Sequence, residues 1–383
     1  MLVINSLPRE PPAANFLLVP DSFERFDKKM AKLDELLRQM KQQNASDLHL
    51  TSGSAPYMRV EGKMVKLNFR DVSQEVCQGL IFEILTEHQR ETFMSEWDLD
   101  FSYPLEGVGR FRVNVFMQRK GIGAVFRLIP EEIQTLEELA LPTQLLDLID
   151  VSEGLVLVTG PTGSGKSTTL ASLIHHINLN QQAHIITIED PIEFVHQNRR
   201  SLINQREVSS HTKSFSNALR AALREDPDII LVGEMRDLET VSLAITAAET
   251  GHLVFATLHT NSAIKTVDRI IDVFPEGQQA QIRVMLSESL RGVAAQALLP
   301  CTDQGRVPVV EILVNVPAVA NLIREGKTFQ ISSVMQTGRA QGMTTFETSV
   351  HDLISQGLIT KEDAQSFLRR RSSGKNAGSR RAA

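Results

Sequence analysis

The stretch Gly154-Leu-Val-Leu-Val-Thr-Gly160-Pro-Thr-Gly-Ser-Gly165-Lys-Ser-Thr168 decides the fold of this chain. Its apolar run, Leu155 to Val158, predicts a buried strand, and the glycines after it predict a tight loop that opens a helix. A glycine turn that binds nothing is the alternative, but strand, loop and helix in this order favour a phosphate-binding loop. The predicted nucleotide-binding residues are Gly160, Thr162, Gly163, Ser164, Gly165, Lys166, Ser167 and Thr168.

The backbone of this loop suits a phosphate group as well as its side chains do. Glycines let successive N–H groups converge on phosphate oxygens, and the N-terminus of the following helix adds a partial positive charge. Lys166 is expected to reach the terminal phosphates and Ser167 to hold Mg²⁺. The stretch therefore predicts a site for a nucleotide and its magnesium ion.

Length, charge and cysteine content narrow the possible classes of protein. The chain has 383 residues, which suggests two or three domains. Its formal net charge of -6 shows no global basic bias, so we expect no nucleic-acid partner. Cys77 and Cys301 are the two cysteines, too few for a disulfide framework or a four-cysteine zinc site, and a reducing cytosol is the simplest compartment. No signal peptide and no apolar run near ~18 residues occurs, so we expect neither secretion nor a membrane span.

Beyond the loop, predicted strands and helices alternate. The strands are expected at 184–188, 228–232 and 253–257, with helices at 214–224 and 238–249. Repeated βαβ units predict an α/β fold with a parallel sheet that binds ligands at the carboxyl ends of its strands. After residue 274 we predict mostly helix, over 278–299, 318–325, 345–356 and 360–371, with one strand at 307–314.

Two acidic groups follow strands of this predicted sheet. Glu234 ends the strand that begins at Asp228, where a carboxylate can polarise a water for attack on the γ-phosphate. Glu189 and Glu193 follow the neighbouring strand. Carboxylates near a triphosphate repel it unless a divalent cation intervenes, so we predict these two as residues on the Mg²⁺ side. A helix N-terminal cap is the alternative for this second group.

Two histidines flank the strand at 253–257. His259 lies at its carboxyl end and could hydrogen-bond the γ-phosphate, whereas His252 lies at the opposite end and is harder to explain. A single histidine at a strand end is usually structural, and the region offers too few ligands for zinc.

The first part of the chain predicts a smaller α+β domain. An amphipathic helix over 21–44 precedes a hairpin around Gly62 and two alternating strands at 109–117 and 123–129. Arg112 and Arg127 project from these last two strands. They are either solvated surface residues or part of a cluster that grips phosphate, and spacing alone leaves both alternatives open. We place a flexible leader at 1–20, this domain at 21–135, the nucleotide domain at 136–371 and a disordered basic tail at 372–383.

Together these motifs resemble the PilT branch of the secretion ATPases, the retraction motors of type IV pili. The resemblance covers roughly residues 25 to 371 and is specific. It rests on the phosphate loop and on Ser46–Leu50, Ile188–Phe194, Asp226–Asp237 and Ala247–Thr260. It implies a RecA-like ATPase domain, a PAS-like N-terminal domain and a homohexameric ring that hydrolyses ATP with Mg²⁺.

The resemblance also implies roles for individual residues and partners. Glu234 would be the catalytic glutamate, Glu193 a metal-side residue, His252 and His259 a histidine pair, and Arg112 and Arg127 arginines that reach the phosphates. The motor would work in the cytoplasm, at the inner membrane, with a PilC-like platform protein and a second motor ATPase of the PilB or PilU kind.

Two features bear on which machine the motor serves. Extension motors and type II secretion ATPases usually carry a tetracysteine motif, which this chain lacks. However, Ala320 stands where the retraction family typically has an arginine. An ATPase of a secretion system and a non-hydrolysing accessory subunit therefore remain alternatives.

Overall fold

The computed structural model describes residues 32–60, 62–129, 132–302 and 305–378. The predicted leader at 1–20 and the first part of the helix predicted from residue 21 lie outside these ranges. The chain divides into two compact units, one ending at residue 130 and the other beginning at residue 131.

The first unit is a six-stranded antiparallel sheet with three helices. Its sheet order is β3-β2-β1-β6-β5-β4. The elements are α1 Lys32–Gln42, β1 Ala45–Thr51, β2 Tyr57–Val60, β3 Lys63–Lys66, α2 Gln74–Phe82, α3 Glu87–Glu96, β4 Asp98–Leu105, β5 Gly109–Gln118 and β6 Gly121–Ile129. The hairpin around Gly62 and the pairing of the two alternating strands are confirmed.

Alternation along these strands separates an apolar face from a polar one. Leu48, Leu50 and Phe126 are buried, and helices α1 and α2 contact strands β1 and β6. On the polar face the register aligns Arg112 with Arg127, and both Arg127 and Arg59 with Asp47. The sheet therefore places three arginines in one row around a single carboxylate.

The second unit contains a seven-stranded sheet. Its order is β13-β12-β7-β11-β10-β8-β9, in which only β13 runs antiparallel. The strands are β7 Gly154–Thr159, β8 His184–Glu189, β9 Leu202–Glu207, β10 Ile229–Val232, β11 Leu253–Leu258, β12 Leu290–Pro300 and β13 Arg306–Val314. The helices are α4 Gln144–Asp147, α5 Lys166–Asn180, α6 Phe215–Ala222, α7 Leu238–Glu249, α8 Ala263–Asp272, α9 Glu276–Ser289, α10 Pro317–Arg324, α11 Ile331–Thr337, α12 Phe346–Ser355 and α13 Lys361–Gly378, with short 3₁₀ turns at Thr328–Gln330 and Gly338–Gln341.

Helices cover both faces of this sheet, because its central strands are apolar on both sides. In β7, Leu155 and Leu157 join a core with α6, α7, α8 and α9, whereas Val156 and Val158 join a core with α4 and α5. Such burial on two faces is typical of parallel sheets. The predicted α/β architecture is confirmed, and the carboxyl ends of β7, β8, β10 and β11 lie along one edge.

One predicted helix is wrong in its second half. We predicted helix over 278–299, but α9 ends at Ser289 and β12 follows directly. A short apolar run such as Val293-Ala-Ala does not distinguish a buried helix from a buried strand, and here pairing with β7 decides for the strand. Gly292 allows β12 and β13 to approach each other closely, since a Cβ at this position would lie 2.7 Å from the Leu313 carbonyl oxygen.

Other differences are smaller. Strands β4 and β9 and helix α8 were not predicted, and α13 continues to Gly378, past residue 371, where we placed its end. The residues after 371 contain no proline that would stop the helix. Within the described ranges, no helix has both the length and the apolar character that crossing a membrane requires.

Candidate nucleotide site

The phosphate loop connects β7 to α5 at the carboxyl edge of the sheet. Gly163 and Gly165 adopt φ values of 77° and 85°, in the left-handed region that favours glycine. Gly160 is restricted by space as well, because a Cβ there would lie 2.3 Å from the Gln296 carbonyl oxygen. These glycines are therefore required by the loop's conformation, as the sequence predicted.

Lys166 is held by the loop itself. Its Nζ donates to the carbonyl oxygens of Gly160 at 3.0 Å and Pro161 at 3.3 Å. Burial lowers the pKa of Lys166, and the charges of Glu234 and Glu193 act in the opposite direction. The structure thus brings one lysine and two acidic residues from separate motifs to one edge of the sheet.

Glu234 follows β10 and is held from two sides. The His259 Nε2 N–H donates to its Oε1 at 2.8 Å, and Arg236 pairs with its Oε2 at 2.7 Å. Burial alone would raise the pKa of Glu234, but the hydrogen bonds and charges of Arg236 and His259 outweigh burial and keep this pKa below its ordinary value. Glu234 is therefore a carboxylate at neutral pH, the form that a general base or water-positioning group requires.

Glu189 ends β8 and shares a small cavity with the phosphate loop. This cavity, of about 40 Å³, is also lined by Ser167, Gly233 and Thr257. Burial raises the pKa of Glu189 to about 7, although hydrogen bonds from Thr187 and Gln205 favour its charged form. Ser167 and Glu189, two predicted Mg²⁺ residues, thus face one cavity, and Glu193 adds its charge nearby.

Strand β9 supports this acidic loop and was missed by the sequence analysis. Gln205 donates from Nε2 to Glu189 Oε1 at 3.2 Å and to the Phe194 carbonyl at 2.9 Å, and its Oε1 accepts from His196 N at 2.8 Å. Glu207 accepts from Ile192 N at 3.0 Å. A mixed polar edge strand has little periodicity, so its role is visible only in these contacts.

The two histidines lie at opposite ends of β11. His259, at the carboxyl end, contacts Glu234. His252, at the amino end, has its Nδ1 3.0 Å from the Ala247 carbonyl oxygen. The two histidines are seven positions apart along an extended chain, a separation of about 23 Å. Within the part of the chain that the structure describes, His252 is not brought to the phosphate loop.

The predicted arginine pair forms in the first unit. Arg112 on β5 and Arg127 on β6 occupy paired positions of the two antiparallel strands. Arg127 donates from Nε to Asp47 Oδ1 at 2.8 Å, and Arg59 lies 3.6 Å from Asp47 Oδ2. The buried Asp47 therefore orients Arg127, a partnership that the sequence analysis did not anticipate.

The donor set fits a magnesium ion that is held partly by phosphate. Among the residues that the structure describes, no three histidine, cysteine or acidic side chains converge as a metal site. Mg²⁺ usually takes only one or two protein ligands beside water and substrate phosphates. The Ser167 hydroxyl and nearby carboxylates are consistent with that arrangement.

The family model described as type II/IV secretion system protein matches residues 25–371. The chain belongs to this family. Within it, the chain is a PilT-like secretion ATPase: it is 52% identical to the type IV pilus retractation ATPase PilT of Pseudomonas aeruginosa over 333 residues, 87% of this chain and 97% of that protein. It is 54% identical to a twitching motility protein of Neisseria gonorrhoeae over 84% of this chain and 87% of that protein.

Solved structures agree with this assignment. The crystal structure of the pilus retraction motor PilT with bound ADP matches with a TM-score of 0.82 and 49% identity, over 88% of this chain and 97% of that chain. The ATPase DotB of Legionella pneumophila matches with a TM-score of 0.78 and 30% identity, over 88% of this chain and 95% of that chain. The resemblance inferred from the motifs is confirmed.

Proposed function

We propose that this chain is an ATP-hydrolysing motor that assembles as a homohexameric ring and powers retraction of type IV pili. The observation that carries the proposal is the meeting of Lys166, Glu193 and Glu234 at one sheet edge. This site lies in a chain that is 52% identical to PilT. A non-hydrolysing subunit would have no need for a complete lysine and carboxylate set.

The residues of the site supply most of what phosphoryl transfer to water requires. The loop N–H groups and Lys166 bind the phosphates, and Glu234 orients the attacking water while His259 holds the carboxylate in place. Bound Mg²⁺, with Ser167, Glu193 and Glu189 as the protein groups near it, would neutralise charge on the phosphates. Arg112 and Arg127 are proposed to stabilise charge that develops in the transition state.

The proposed partners follow from the same relationship. The chain is 42% identical to the type IV pilus ATPase PilU of Pseudomonas aeruginosa over 87% of each chain. A second motor ATPase of this kind and a PilC-like platform protein are the proposed partners. We place the motor in the cytoplasm, at the inner membrane, with contact to the membrane only through the platform protein.

The test is a deletion strain complemented with the wild type, Glu234→Gln or Glu239→Gln. Glu239 is exposed and pairs with Arg220 on a neighbouring helix. Glu239→Gln therefore makes the same chemical change at a residue outside the predicted site. Retraction and twitching should return with the wild type and Glu239→Gln but not with Glu234→Gln. Loss of protein export with intact twitching would instead indicate a secretion ATPase. No phosphate release by the purified wild type would indicate an accessory subunit.

A further inference from the structure

Gln296, on strand β12, spans the space behind the phosphate loop. Its side chain is buried, with the whole residue 3% exposed. Nε2 donates to the Ser164 carbonyl oxygen at 2.7 Å, and Oε1 accepts from the Thr169 hydroxyl at 2.8 Å. One carboxamide therefore connects the loop to the first turn of α5.

The Ser164 contact gives a hydrogen-bond donor to a carbonyl group of the phosphate loop. When successive N–H groups of a loop turn toward an anion, some of its carbonyl groups turn into the protein, where each needs a donor. Ser164 is itself buried, at 3% exposure, so an unpaired carbonyl there would be costly. Gln296 supplies that donor from a strand outside the loop.

The Ser164 contact also fixes which way the carboxamide faces, because a carbonyl oxygen can only accept a hydrogen bond. If the amide turned over, Oε1 would face the Ser164 oxygen, and two acceptors would oppose each other. The Thr169 hydroxyl, which is 1% exposed, donates to Oε1 and so gives the other end of the carboxamide its hydrogen-bond partner. Thr169 thus acts on the loop through Gln296.

The backbone and side chain of Gln296 also limit the space around the loop glycines. A Cβ at Gly160 would lie 2.3 Å from the Gln296 carbonyl oxygen, and one at Gly165 would lie 2.9 Å from its Nε2. The loop is therefore packed against Gln296 at Gly160 and Gly165 and hydrogen-bonded to it through Ser164.

We propose that Gln296 is a positioning residue for the nucleotide. It holds the phosphate loop in the conformation whose N–H groups converge on the phosphates, without touching the nucleotide itself. The affinity for nucleotide consequently depends on the Gln296 carboxamide and on the hydrogen bond by which Thr169 holds it. This inference concerns ATP binding and hydrolysis only, so it does not depend on which machine the motor drives.

The test compares Gln296→Met, Gln296→Glu, Thr169→Val and the double variant Gln296→Met/Thr169→Val in the full chain. Binding of Mg-ADP is measured by fluorescence titration, and KM and kcat for ATP by phosphate release. Methionine keeps the shape but leaves the Ser164 carbonyl without its donor, so we expect about tenfold weaker ADP binding and a similar rise in KM, with kcat changed less. Glutamate turns a carboxylate toward that carbonyl and should weaken binding further.

Thr169→Val removes only the donor to Gln296 Oε1, so we expect a smaller loss, about threefold. Because Thr169 acts through Gln296, adding Thr169→Val to Gln296→Met should change ADP affinity no further. If Gln296→Met does not fold, the threefold loss in Thr169→Val still tests the proposal.

Asn315→Leu is the matched control. Asn315 follows β13 and donates to the carbonyls of Ser287 at 3.0 Å and Leu290 at 2.8 Å, near the other end of β12. We expect a lower Tm with unchanged ADP affinity and KM. The proposal is overturned if Gln296→Met and Thr169→Val bind ADP within twofold of the wild type. It is also overturned if the two losses are additive, or if Asn315→Leu weakens binding equally.

Discussion

Glu234 and His259 meet across two neighbouring parallel strands: the His259 Nε2 N–H donates to Glu234 Oε1 at 2.8 Å. Strands β10 and β11 are parallel neighbours, so the residues that follow them emerge at the same edge of the sheet. Two motifs separated along the chain thereby form one unit, in which the imidazole sets the direction of the carboxylate.

Glu234→Gln should bind ATP with near wild-type affinity and lose at least about 100-fold in kcat, because the amide cannot accept a proton from the attacking water. Binding is measured with a fluorescent nucleotide and turnover by phosphate release. His259→Ala should retain part of the activity, since the carboxylate persists without its orienting partner. Wild-type turnover by Glu234→Gln would remove this residue from the mechanism.

Arg236→Ala should move the acidic limb of the pH profile of kcat/KM to higher pH. Arg236 helps to keep the pKa of Glu234 low, so its loss raises that pKa and protonates the carboxylate at a higher pH. Arg220→Ala, which breaks the exposed pair with Glu239, is the control and should leave the limb in place. An unchanged limb in Arg236→Ala would show that another group titrates there.

Gly160→Ala should abolish nucleotide binding and lower Tm, because its Cβ would lie 2.3 Å from a backbone oxygen of β12 that cannot move without breaking the sheet. Gly357→Ala is the control for backbone strain alone: φ there is 73° and a Cβ would meet no described atom within 4 Å. The control should lose only about 1 kcal/mol of unfolding free energy. Equal effects of the two substitutions on binding would contradict the steric argument.

Lowering the pH should destabilise the protein through His196. Its Nδ1 is buried and finds no hydrogen-bond partner among the residues that the structure describes, and burial lowers its pKa to about 4. Above pH 6.5 the ring is neutral in both states. As the pH falls below 6.5, His196 of the unfolded chain binds a proton, whereas His196 of the folded state stays neutral down to about pH 4. Stability is therefore lost between pH 6.5 and about pH 4.

His196→Gln tests this titration because glutamine cannot be protonated. Between pH 7.5 and pH 5 its unfolding free energy should fall by about 2 kcal/mol less than that of the wild type. Urea unfolding at both pH values measures the difference. His88→Gln, on helix α3 of the first unit, is the control, and an equal change in both variants would exclude His196 as the cause.

Arg112→Ala and Arg127→Ala should each lower kcat by at least about tenfold while leaving the subunit folded, if guanidinium groups stabilise the transition state. Arg127 is 66% exposed, so its removal opens no cavity. Arg70→Ala, an exposed arginine of the same unit, serves as the matched control. Circular dichroism checks folding, and full activity in both variants would restore the alternative that these are solvated surface residues.

The phosphate loop and the strands β7, β8, β10 and β11 could be predicted because local signals agree there. Leu155 to Val158 are apolar, the glycines that follow need positive φ or close approach, and each acidic motif directly follows an apolar strand. Residues whose role depends on a distant partner were missed. Gln205 and Gln296 lie on strands with no distinctive pattern, and Asp47 pairs with Arg127, 80 positions away.

The sequence by itself determined the phosphate loop and most of the parallel α/β sheet, because glycine spacing and apolar periodicity act over a few residues. The family was inferred from the resemblance of whole motifs. Only the tertiary structure decided that β12 is a strand beside the loop, that Gln296 bonds Ser164, and that His259 rather than His252 meets Glu234. These depend on which strands pair and in which register. Pairing is set by the burial of whole faces, and no local pattern of residues specifies it.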